Sequence, residues 1–261
     1  MPVIDDIRKE QEKTKDMSFK GKLSYFWYYY KVHTLVTIAI VFFLCVLIHD
    51  IVTAKDYAFS AVYINANQTF SAEDQMEAFA EYADLDTEEF DVVLDSAMYL
   101  SLTDTSEVSL SASQKLAALL SAKNLDIAVM DEEVFTNYAL TETFYDLREI
   151  LPEDLLEKYK DNFFYVDGTT VEAFNNKEEY SSHADDMEYY NKLAETLQKP
   201  NDPSVMENPI PVGIYVGDTT IISDAGCYSE KKPVFGIIIN TPRLETAIQY
   251  LRFLDEESIA K

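Results

Sequence analysis

The chain reads as an α/β protein with one N-terminal transmembrane helix, followed by an extracytoplasmic domain built on a mostly parallel sheet. Three observations predict this. Thr34 to Ile48 (TLVTIAIVFFLCVLI) is a run of fifteen residues with no charge, glycine or proline. Lysines crowd the residues before that run, whereas the stretch after it carries only Lys55. From Tyr57 onward, short β-rich apolar runs alternate with apolar stripes of helical period.

With Tyr29, Tyr30 and Val32 before it and Ile51 and Val52 after it, the apolar run reaches about 20 residues, enough to cross about 30 Å of hydrocarbon. The aromatic cluster Tyr25 to Tyr30 (YFWYYY) precedes it, as expected of side chains that settle at the headgroup level. Lys13, Lys15, Lys20, Lys22 and Lys31 lie just before the run, which places the N-terminus in the cytoplasm and the remainder outside. A cleaved signal peptide with Val52-Thr53-Ala54 at its cut would need an unusually long polar leader. A lipoprotein site at Cys45 is disfavoured by the bulky Phe42, Phe43 and Leu44. The reading is an uncleaved anchor seated in the lipid bilayer through Thr34–Ile48. Residues 1–31 form a cytoplasmic arm, 32–54 the span and its flank, and 55–261 the outer domain.

The elements of that domain follow in order. Tyr57 to Asn65 is apolar on both faces, as a strand covered on both sides would be. Ser71, with Asp74 three positions on, opens a helix whose stripe is Ala72, Met76, Phe79, Ala80 and Ala83. A strand is expected at Phe90 to Leu94. Ser111 and Gln114 read as a capping box before Leu116, Leu119 and Leu120, and Leu125 to Met130 as a third strand. Helices are expected at Glu132 to Tyr138 and, with Pro152 in its first turn, at Pro152 to Asn162, the latter burying Leu155, Leu156, Tyr159 and Phe163. A longer helix is expected from Ala184 to Gln198. Pro200, Pro203, Pro209 and Pro211 mark residues 199–211 as an exposed linker. Strands at Val212 to Val216 and Val234 to Asn240 follow. Thr241 and Pro242 then lead a last helix with Leu244, Ala247, Ile248, Leu251 and Leu254 inward.

Charge narrows the possible partners. The whole chain carries −26, and residues 1–31 hold seven Lys/Arg against five Asp/Glu, so the rest carries −28. So acidic a surface argues against nucleic acid and against lying on an anionic membrane. Cys45 falls in the span and Cys227 in the domain, which excludes a bridge between them. Cys227 reads as a partly buried, inert thiol. His183 is the one imidazole outside the span and its flanks, so a multi-histidine metal centre is excluded. Asp185, Asp186 and Glu188 beside it read as a solvated helix start. The acidic runs Asp86 to Asp91 and Asp131 to Glu133 lack the alternate spacing and glycine of a calcium loop. There is no G-x-S-x-G, phosphate-cradling loop or dinucleotide fingerprint. The reading is a protein without catalytic residues, metal or cofactor.

Two passages carry a resemblance. Leu119 to Asp154 leads through Asp126-Ile127 and a helix to Phe144, Asp146 and Leu147. Gly236 to Leu254 (GIIINTPRLETAIQYLRFL) pairs a strand with an aromatic-rich helix. Both are similar to segments of bacterial extracellular solute-binding proteins of the type 2 periplasmic-binding fold, in which the turn reads G-x-F-x-D-L. Glu142 stands where that turn has glycine. The resemblance implies a domain similar to one lobe, plus a remnant of the second. It implies a membrane-tethered, non-catalytic binding protein for a small solute or a neighbouring membrane component. The alternative is a structural or assembly subunit that docks on a transporter or envelope protein. In an open α/β sheet, ligands meet the carboxyl ends of the strands. This makes Asn65, Asn67, Asp95, Ser96, Asp131 and Asn240 the candidate ligand-binding residues.

Overall fold

The computed structural model describes residues 18–53, 55–67, 70–104, 106–175, 201–228 and 231–256. The chain divides into two compact units, Met1–Ala54 and Lys55–Lys261. In the first, helix α1 runs over Phe19–Thr53. Its stretch Tyr30–His49 has a mean hydropathy of 2.4, and none of it is buried against protein. At 1.5 Å per residue, twenty such residues span about 30 Å. Among the described residues this is the one helix long and apolar enough to cross a membrane.

The second unit is a six-stranded sheet between two layers of helices. Its strands are β1 (Tyr57–Tyr63), β2 (Asp91–Asp95), β3 (Ile127–Asp131), β4 (Phe163–Asp167), β5 (Pro209–Tyr215) and β6 (Pro233–Ile237), in the spatial order β2-β1-β3-β6-β5-β4. β1 pairs with β2 and β3 in parallel. The three remaining pairs, β3·β6, β5·β6 and β4·β5, are antiparallel. The sheet is therefore mixed, which corrects the mostly parallel expectation. Alternating strands and helices show which elements exist. Strand direction depends on the end of the sheet from which each connection returns, and hydropathy does not encode that.

Strand alternation sends side chains to opposite faces. Phe59, Ala61 and Tyr63 of β1, Ile127 and Val129 of β3, and Phe235 and Ile237 of β6 build one core. It is covered by α2 (Ala72–Tyr82), the short α5 (Leu147–Ile150), α6 (Glu153–Tyr159), α8 (Thr220–Ala225) and α9 (Leu244–Phe253). Val62, Ala128, Met130 and Val234 face the other core, under α3 (Glu107–Ser121), α4 (Glu132–Ala139) and α7 (Gly168–Asn175). There the rings of Phe135 and Phe144 stack at 4.3 Å, directly over Gly213 and Gly236. A β-carbon at Gly236 would sit 2.5 Å from the Phe144 ring, so the glycine is required by close approach. Phe144 also bridges to Ile238, Asp146 caps α5, and Leu147 is fully buried. Glu142 takes a φ of 54°, a left-handed conformation that glycine adopts without strain.

Several element boundaries differ from expectation. Ser71 caps α2 by accepting from Asp74 N, as read. The capping box at Ser111 is corrected: α3 begins five residues earlier, because Ser106 is extended and accepts from Ser109 N, while Asp104 holds Ser106 N. Pro152 is the N-cap of α6 rather than part of its first turn. Phe163 opens β4 instead of closing α6. The linker at 199–211 is also corrected, since Pro209 and Pro211 belong to β5. Proline lacks the N–H a central strand needs. Here both prolines lie where β5 pairs with β4 alone, beside a register shift at Phe164/Tyr165, whereas β6 joins only at Ile214 and Tyr215. β4, α5, α7 and α8 had no counterpart in the sequence reading. The helix expected at Ala184 to Gln198 lies outside the described residues.

At the amino end of β3, Asp126 is fully buried. Its carboxylate accepts from Ser60 N at 2.8 Å, from Arg243 Nε at 2.8 and 3.0 Å, and from the Thr241 hydroxyl. Asp126→Ala removes the partner of a mostly buried guanidinium. The variant should lose about 3–5 kcal/mol, the usual cost of breaking a buried pair from one side. Gly236→Ala should lose about 1–3 kcal/mol through overpacking against rings that cannot move aside. Urea unfolding of each variant against the parent measures both losses.

Candidate functional site

β1 and β3 lie side by side and parallel, with Ala61 opposite Ile127 and Tyr63 opposite Val129. Their carboxyl ends therefore open at one edge of the sheet, bringing together Asn65 and Asp131, two of the expected residues. Asn65 has a φ of 61°, which Asn tolerates better than most side chains. Its Nδ2 donates to Asp131 Oδ2 at 2.7 Å and to Leu100 O at 2.7 Å, and its Oδ1 accepts from Leu100 N at 2.9 Å. One side chain thus ties the end of β1 to the segment after β2 and to the end of β3.

Asp131 does three things. Its Oδ1 accepts from Val134 N at 3.2 Å and caps α4, while its Oδ2 takes Asn65 and Lys231 Nζ, the latter at 3.2 Å. Next along, Glu132 Oε1 accepts from the Tyr215 hydroxyl at 2.8 Å, and Oε2 lies 3.7 Å from Lys232 Nζ. Burial first, and then the Glu132 carboxylate, push the Tyr215 hydroxyl well above the ordinary phenol range, so it stays neutral and donates. Asn201 completes the frame: its Nδ2 donates to Phe163 O at 3.0 Å, and its Oδ1 accepts from Tyr165 N.

Of these, Asn65, Asp131, Glu132, Asn201, Lys231 and Lys232 border a cleft of about 680 Å³. Polar groups of Asn65, Asp131, Asp167 and Lys231 meet apolar surface from Leu100, Leu102, Leu140 and Phe164. A second hollow of about 730 Å³, reaching to Asp161 and Asp218, shares Glu132, Asn201, Lys231 and Lys232 with the first. Concave surface that mixes apolar walls with a few placed polar groups suits small-ligand binding.

The other expected residues stand elsewhere. Asp95, at the end of β2, pairs with Lys115 Nζ at 2.6 Å and accepts from Ala97 N at 2.9 Å. It lines a separate hollow of about 500 Å³ beside Tyr99 and Val108. Ser96 is half-buried next to it. Asn67 reaches towards α8, its N donating to Cys227 O at 2.7 Å and its Nδ2 to Gly226 O at 3.2 Å. Asn240 stands apart from both. Because β6 runs against β3, with Ile237 opposite Ile127 and Pro233 opposite Asp131, its carboxyl end lies at the far edge of the sheet. There Asn240 Nδ2 donates to Leu120 O at 2.8 Å, and its Oδ1 is buried without a partner in the described structure.

Lys231, Lys232, Asn201, Tyr165 and Asp167 were not among the expected residues. The usable signal was Lys231-Lys232, the only Lys-Lys pair in residues 55–261. Cys227 is fully buried, and burial pushes its thiol up to about 11, as befits an unreactive cysteine. Among the described residues no group of three or more His, Cys, Asp or Glu is placed to hold a metal ion. His183, Asp185, Asp186 and Glu188 lie outside them.

Asp167 supplies a pH test of the cleft wall. Burial works to raise its carboxyl, but the N–H groups of Glu207, Asn208 and Thr169 and the Thr169 hydroxyl outweigh it and hold the group below the ordinary aspartate range. A depressed folded pKa contributes stability that is present above about pH 4 and is lost as pH falls through the lowered value. Urea unfolding of Asp167→Asn should therefore show a deficit at pH 7 that shrinks towards pH 3.

Comparison with protein-family models, with curated proteins and with solved structures finds no match for this chain.

Proposed function

We propose that this chain is a membrane-tethered binding protein without catalytic activity. One span holds an acidic α/β domain outside the membrane, where the cleft at the carboxyl ends of β1 and β3 takes a small solute or an exposed part of a neighbouring membrane component. The cleft carries the reading. Its volume of about 680 Å³ falls within the range of ligand pockets, and polar side chains from three separate strand ends converge on it. The anchoring half of the proposal is supported by the unburied apolar stretch Tyr30–His49 and by the lysines before it.

A second reading, an assembly subunit docked on a transporter or envelope protein, is favoured by one specific observation. Asn65, Asn67, Asp95 and Asp131 all hydrogen-bond within the fold, so the strand ends are self-satisfied in the absence of a ligand.

A thermal-shift screen of the full chain in detergent against sugars, amino acids, short peptides, amines and carboxylates separates the two. Saturation at 100 times the dissociation constant adds about 2.7 kcal/mol, which should raise the midpoint by several degrees at about 2–4 °C per kcal/mol. One responsive chemical class is the expected result. If every class leaves the midpoint unchanged while crosslinking in intact cells returns one reproducible membrane protein, the assembly reading replaces it.

A further inference from the structure

We infer that the cleft selects organic cations, an amine or guanidine on an aliphatic or aromatic body. This rests on the reading of the cleft as a binding site. Among the described residues, Asp131, Glu132, Glu133 and Asp167 line the cleft against Lys231 and Lys232, a net of −2. Both lysines are already engaged, Lys231 with Asp131 at 3.2 Å and Lys232 with Glu132 at 3.7 Å. An anionic ligand would therefore have to break an ion pair and leave a carboxylate facing it. Glu133 is exposed at the start of α4 and, among the described residues, pairs with no lysine or arginine. The adjoining hollow adds Asp161 and Asp218 and, among the described residues, no further basic side chain.

The walls decide what kind of cation fits. A bare metal ion needs six or more converging oxygens, whereas here the carboxylates are spread around apolar surface from Leu100, Leu102 and Leu140. Of the aromatic residues in the same lining, Tyr99 is exposed, and aromatic faces attract organic ammonium and guanidinium groups. Residues 55–261 hold 14 Lys/Arg and 41 Asp/Glu, so the long-range field of the domain draws cations towards it.

The test is calorimetric titration of the full chain in detergent with agmatine and phenethylamine as organic cations, glucose as a neutral probe and citrate as an anion. Agmatine or phenethylamine should bind at one saturable site, and glucose and citrate should not. Glu133→Gln should weaken that binding roughly two- to fivefold, the range for one partly exposed charge contact, and Glu133→Lys should weaken it further. Glu77→Gln, an exposed change on α2 outside the lining, should leave it unaltered. Equal weakening by Glu133→Gln and Glu77→Gln would mean diffuse counterion binding and overturn the inference. Saturable binding of glucose or citrate alone would overturn the cationic preference while keeping the cleft as a binding site. Silence from all four probes, with no hit in the wider thermal-shift screen, would remove the binding reading itself.

Discussion

The domain depends first on the carboxylate of Asp126. An ionised group taken fully out of water is costly unless donors surround it. Three donor groups do so here: a strand N–H from Ser60, the Thr241 hydroxyl and the Arg243 Nε–H, which contacts both carboxylate oxygens. They come from β1 and from the segment leading into α9. Asp126 N in turn donates to Ser60 O, and Ile238 N donates to Asp126 O. One residue therefore fixes β1, β3 and the end of β6 in mutual register. That register determines where the opposite edge of the sheet opens, because Asp131 follows only five residues later, about 16 Å along the strand. The two aspartates bracket the same strand, with Asp126 locking the frame and Asp131 facing the cleft.

The two faces of the sheet solve the burial of large aromatic groups differently. On one, Tyr63 and Tyr250 are fully buried, and their hydroxyls pair at 2.6 Å while Gln75 donates to both. Burial raises both phenols, so they remain neutral hydrogen-bonding groups inside the core. On the other face there are no hydroxyls to satisfy in the stacked pair Phe135 and Phe144. The sheet instead gives up two β-carbons, at Gly213 and Gly236, to let the rings lie against the backbone. Hydrogen bonding orders the first core and shape complementarity the second, and the second costs little only when β5 and β6 keep their register.

Much of this frame was legible in the residues. β1 and β3 announced themselves by runs apolar on both faces, and Ser71 by its spacing to Asp74. The Pro-rich segment misled, because proline signals a break unless the strand has a free side, and only the observed pairing shows that Pro209 and Pro211 lie where β5 has one neighbour. The same limit explains the site. Asn65 and Asp131 could be found because they close parallel strands. Asn240 closes β6, whose direction is reversed, so the same rule placed it at the wrong edge. Asn201 was hidden because its role is to bond backbone of β4, a strand the sequence did not reveal.

A cleft whose polar groups are already paired can still accept a ligand, provided the existing pairs are cheap to exchange. Lys231 and Lys232 keep 45% and 74% of their side-chain surface in solvent, and neither approaches its carboxylate more closely than 3.2 Å. Such pairs contribute about 0–1 kcal/mol. A cation arriving at Asp131 or Glu132 therefore replaces one positive partner by another, and the released lysine returns to water at little cost. An arriving anion has no equivalent exchange, since freeing a lysine for it strands a carboxylate beside it. The anchoring bonds of Asp131 to Asn65 and to Val134 N need not change in either case. The part of the cleft that holds the fold together is thus separable from the part that can trade partners.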